Sequence, residues 1–95
     1  MPAYTTRVEL LDAAADYTAL TGFMQQAGFV DFIVDDQNQK YTLPTGEYFS
    51  HGELSIIDVC ANAEWAAKQT GGKFRMFVTE GGNRSWVGLD AVNPV

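Results

Sequence analysis

Between residues 4 and 10 the stretch YTTRVEL alternates without a break. Tyr4, Thr6, Val8 and Leu10 fall on one side of an extended chain, and Thr5, Arg7 and Glu9 on the other. A period of two predicts a strand with one face buried and one wet. Residues 73–80, KFRMFVTE, repeat the pattern, with Phe74, Met76 and Val78 opposed to Arg75, Phe77 and Thr79. Between these stretches the period changes. Tyr17, Leu20, Met24 and Ala27 recur at helical spacing after Asp12, a prospective N-cap, and before Gly28, predicting a helix near 13–27. A second helix is predicted near 55–70. Ser55 opens it, Asp58 completes an [ST]-x-x-[DE] capping box, and Gly71 and Gly72 end it. Its apolar stripe reads Ile56, Val59, Cys60, Ala63 and Ala67.

Three shorter segments complete the pattern. FVDFIVD at 29–35 predicts a strand, and the polar DQNQ turns it into KYTLP at 40–44, a strand that Pro44 must stop or push to an edge. Residues 45–53, with Tyr48 and Phe49, read as irregular. After GGNR, a glycine-rich turn, SWVGL predicts a short last strand, and DAVNPV a frayed tail. The order β-α-β-β-α-β with an extra C-terminal strand predicts an α+β, ferredoxin-like domain over 1–95. It has two helices on one face of an antiparallel sheet and the first and third strands as its central pair.

In that arrangement the other sheet face stays open and shows Thr5, Arg7, Glu9, Lys40, Thr42, Arg75, Phe77 and Thr79. An RNA-recognition motif shares the topology but needs stacking aromatics on its two central strands, and the expected central strands offer none there. With twelve acidic against six basic residues, the net charge of −6 argues against binding nucleic acid through phosphate neutralisation, and suits an acidic surface that covers a basic patch on a partner. Glu9 and Asp12, with Asp31 or Asp35, are the carboxylates that a divalent-metal site would have to gather. A cap, a turn and a cross-strand pair account for them better, so no metal site is expected. No cofactor is expected either: TGGK at 70–73 lacks the spacing of a phosphate loop and reads as a helix end. His51, the only histidine, is the residue type best suited to general acid–base work, yet it has no nucleophile at a recognised spacing, and a surface or loop-tethering role is the simpler reading.

The single cysteine, Cys60, sits on the apolar stripe and reads as a small buried residue in a reducing cytoplasm. No apolar run approaches the ~18 residues of a membrane span, and the N-terminus lacks the basic and apolar regions of a secretory signal. Trp65 is the residue that resists this account. It follows Ile56 by nine positions, which at ~100° per residue places it about 180° from the stripe. Either the 45–53 segment folds over it, or it meets a protein partner or a second copy of the chain. The filled stripe on the opposite side favours a contact, with Trp65, Tyr48 and Phe49 as its candidate residues.

The segments YTTRVELLDA, ADYTAL, M…AGF, YTLPTGEY and TGGKFRMFVTE, followed by W and GL, resemble the GhoS-like family over about Tyr4 to Leu89. That family groups the endoribonuclease antitoxin of type V toxin–antitoxin systems with relatives from bacteria and phages. The resemblance implies a ferredoxin-like fold related to CRISPR-associated nucleases and, from the founding member, cleavage of a toxin's messenger RNA. It carries no catalytic residues across. Two functions are therefore expected of a small cytoplasmic regulatory protein. One is an RNA-cleaving antitoxin, with Arg7, Arg75 and His51 near the scissile phosphate. The alternative is a non-enzymatic acidic binding protein, encoded by a phage or mobile element, that inhibits a host protein.

Overall fold

The computed structural model describes residues 2–12 and 14–92. Its elements are β1 (Ala3–Leu10), α1 (Tyr17–Gln26), β2 (Phe32–Val34), β3 (Lys40–Thr42), β4 (Glu47–His51), α2 (Ile56–Lys68) and β5 (Phe74–Glu80). β1 lies between β4 and β5 and is antiparallel to both, while β2 and β3 form a separate antiparallel hairpin. Val30 joins the two sheets. It forms a bridge to Phe49 with a reciprocal pair of hydrogen bonds of 2.9 and 2.8 Å, so the segment leading into β2 lies along the free edge of β4. The spatial order, β5–β1–β4 with the β2 approach outermost, is that of a ferredoxin-like α+β fold.

The alternation of β1 decides which face is covered. Tyr4, Thr6, Val8 and Leu10 are buried, and they pack with Leu20 and Met24 of α1 and Val59, Ala63, Ala66 and Ala67 of α2. Three alanines at full burial bring α2 close to the sheet, since they hold no side chain that would keep the backbones apart.

Several elements differ from the sequence expectation, each for a local reason. The N-cap of α1 is Asp16, whose carboxylate accepts from the Ala19 amide at 2.9 Å, so the helix starts at Tyr17. Residue 13 lies outside the described residues. Asp12 instead accepts from the Lys73 amide at 3.1 Å, fastening the end of β1 to the start of β5. The 45–53 stretch contains β4. Gly46, at φ 87°, turns the chain with its carbonyl 2.8 Å from the Val8 amide, and Tyr48 then points into the core while Glu47 and Phe49 point away. The central pair is consequently β1 and β4, and KYT belongs to the hairpin.

The C-terminal segment forms no extended strand among the described residues. It runs as an arm that makes one bridge, Ala91 to Tyr41, with the Thr42 amide donating to Asp90 at 2.9 Å and the Val92 amide to Lys40 at 2.8 Å. In place of the expected C-terminal strand the fold uses β4, from the middle of the chain, and residues 90–92 are held along β3; residues 93–95 lie outside the described set. In α2 the buried sector is Val59, Ala63, Ala66 and Ala67. Ile56 is 40% exposed, and Cys60 is an exposed thiol, not a core residue.

Candidate functional site

The register of the sheet places the open-face residues in rows. Phe49, Thr5 and Thr79 form one row, Glu47, Arg7 and Phe77 the next, and Glu9 with Arg75 a third. The β1 and β5 members are those expected. The β4 members replace Lys40 and Thr42, which lie on the hairpin. Both arginines are paired: Arg7 Nη1 lies 3.4 Å from Glu47 Oε1, and Arg75 Nε donates to Glu9 Oε1. These pairs are solvent-exposed and hold the arginines more than they stabilise the fold. Phe77 stands between them at 70% exposure.

His51 is in register with Ala3, whereas Arg75 is in register with Glu9. At ~3.3 Å per residue these positions are about 20 Å apart along β1. Arg7, Arg75 and His51 therefore share a face but form no single constellation. Among the described residues no group of three or more His, Cys, Asp or Glu side chains could hold a metal ion. Glu9, Asp12 and Asp35 have structural partners instead. Asp35 accepts from the Gln37 and Gln39 amides at 2.8 and 2.9 Å and shapes the hairpin turn.

The partner candidates separate just as clearly. Tyr48 is in the core at 1% exposure, its hydroxyl 2.8 Å from Thr21 Oγ1, and so cannot present a surface. Phe49 is on the open sheet face. Trp65 is on the outer side of α2, 47% exposed, and β4 does not fold over it, because that segment is built into the sheet. Ile57, at 77% exposure, and Ala61 precede Trp65 at i−8 and i−4, so the three form one exposed apolar strip along the helix. The Glu64–Lys68 pair at 3.6 Å borders it.

Two further residues complete this face, neither assigned to a site from the sequence, where Arg84 reads by default as a solvated or ion-paired arginine. Arg84, on the C-terminal arm, lays its guanidinium over the Phe49 ring with Cζ 4.7 Å from the centroid, and its Nε donates to Thr5 Oγ1 at 2.9 Å. Burial pushes its pKa below the ordinary value of an arginine. Trp86 packs on Tyr41 with centroids 5.6 Å apart. With Phe32, Val34, Phe49 and His51 they line a groove of about 700 Å³ between the sheet, the hairpin and the arm. The sequence signals were the glycines of GGNR, which read as a turn, and an isolated arginine whose contact with phosphate was weighed against a solvated face.

No protein-family model, curated protein or solved structure matches the chain. The fold and its surfaces define a small α+β protein of ferredoxin-like order that carries two separate aromatic surfaces, one on α2 and one on the open sheet face. No helix among the described residues is long and apolar enough to cross a membrane.

Proposed function

We propose that this chain is a small non-catalytic regulatory protein that acts through protein contact, with the outer face of α2 as its binding surface. The observation that carries this reading is the strip Ile57–Ala61–Trp65, exposed on a helix whose opposite side already fills the core. Tryptophan is enriched among residues that dominate binding energy, and a small central alanine lets a partner approach the helix closely. The pairing of Arg7 and Arg75 with carboxylates and the charge of −6 support a protein partner over RNA. The exposed Cys60 thiol suits a reducing cytoplasm. The GhoS-like resemblance supports an antitoxin setting, in which the chain would block its target directly.

Trp65→Ala should weaken association, with a second copy or with the target, by about 1–3 kcal/mol and leave the melting temperature nearly unchanged. Sedimentation or partner titration of the variant, paired with thermal melting, reads both quantities. A large drop in melting temperature with unchanged association would show Trp65 to be structural. In parallel, purified wild-type protein should leave RNA intact. Cleavage that disappears in an Arg7→Ala, Arg75→Ala variant would establish the RNA-cleaving antitoxin in place of this reading.

A further inference from the structure

The groove under the C-terminal arm is remote in character from the α2 strip. Among the described residues Arg7, Lys68 and Arg75 are ion-paired, but Arg84, which is half-buried, has no carboxylate in ion-pair contact. Its hydrogen bonds go to one hydroxyl, Thr5 Oγ1, reached by Nε and Nη2. A guanidinium carries five N–H donors, so most of the fork remains unfilled. A partly desolvated cation without a counter-charge is costly, and an anion that meets it recovers that cost. The planar fork matches the two oxygens of a carboxylate or phosphate.

The walls supply the rest. Phe32, Val34 and Trp86 are apolar, and the His51 ring stands 5.8 Å from that of Phe49. A volume of about 700 Å³ lies within the range of small-molecule sites, roughly 300–1,000 Å³. Asp35, which also accepts the turn amides, and exposed Asp36 both line the hairpin side of the groove and make that side unfavourable to a negative group, so the head belongs on the Arg84 side. We propose that this groove binds a small organic oxyanion, a carboxylate or phosphate head on a flat apolar body. Arg84 holds the head, and Phe32, Val34 and Trp86 hold the body. The site does not use the α2 strip, so its test stands apart from that of the protein contact.

The experiment is a ¹H–¹⁵N NMR titration of the full chain with phenyl phosphate and, separately, with phenylacetate. Inorganic phosphate and benzyl alcohol serve as half-probes. The expected result is saturable shifts at residues 32–36, 49–51 and 82–86 with a dissociation constant of about 1 mM or tighter for at least one probe. Each half-probe should bind about tenfold more weakly or worse, and the tighter of the two full probes identifies the head group. Arg84→Gln should reduce binding about tenfold. If that variant also frees the arm, seen as lost protection of the Thr42 amide, Arg84→Lys decides, because it keeps the charge without the fork and should still bind more weakly than wild type. The proposal is overturned by the absence of saturable shifts up to about 10 mM, by shifts centred elsewhere, or by Arg84 variants that all bind as wild type does.

Discussion

Tyr48 places a phenol in the core and satisfies it on Thr21, which makes it a structural residue with a measurable signature. Burial raises its pKa above the ordinary 10.0; the Thr21 hydrogen bond opposes this and the charge of Asp31 adds to it. Tyr4, whose hydroxyl donates to the Leu54 carbonyl at 2.6 Å, is raised as well, by burial first and then by Glu80, Asp58 and Glu53. A phenol raised in the folded state stays protonated while the unfolded chain has begun to ionise. The stability it contributes is complete below the unfolded value near 10.0 and is lost as pH rises through the folded one. Urea melts of the wild type should therefore lose stability above about pH 10. Tyr48→Phe should cost ~1 kcal/mol at neutral pH, through the lost hydrogen bond, and show a shallower alkaline decline. A decline of equal slope would show that Tyr48 does not share in it.

At the scale of the elements, α2 is defined by what its buried side lacks. Ala63, Ala66 and Ala67 let it lie close to β1 and β5, and the larger residues Ile57 and Trp65 are left for the outer side. Ala66→Leu would add three carbons where no space exists, and should destabilise by about 1–3 kcal/mol in denaturant unfolding. A substitution of similar size at exposed Ala61 should cost little by the same measurement. The comparison separates close packing from helix propensity, because leucine is a good helix former at either position.

The molecule as a whole is closed by its C-terminal arm. Thr5 and Arg84 are 79 positions apart in the chain, yet their contact, with Trp86 on Tyr41 and the Asp90 and Val92 hydrogen bonds, ties the hairpin to the open face. A chain ended after Gly82 should keep the protection of β1, β4 and β5 in hydrogen exchange. The Thr42 amide, having lost the Asp90 carbonyl, should exchange about fivefold faster or more, the equivalent of a ~1 kcal/mol hydrogen bond. Uniform loss of protection would show instead that the arm belongs to the cooperative core.

Residues 4–10 and 74–80 were legible in the sequence because one sheet face is buried and the other wet, and a period of two records that difference directly. The cap of α2 at Ser55 and the stop of α1 at Gly28, φ 96°, were legible because each is a local backbone demand. The ferredoxin-like order followed from these elements and their short connections. What tertiary structure alone decided was pairing. EYFSH at 47–51 has no clean alternation and becomes a strand because β1 offers an edge to it. α2 offers an apolar sector wider than its contact, so the sheet and α1 chose alanines over Ile56 and Cys60, which stayed in solvent. The groove around Arg84 had no local signal beyond an isolated arginine in a glycine-rich turn. It joins residues from β2, β4 and the arm, and its guanidinium acquires its setting only when distant segments meet.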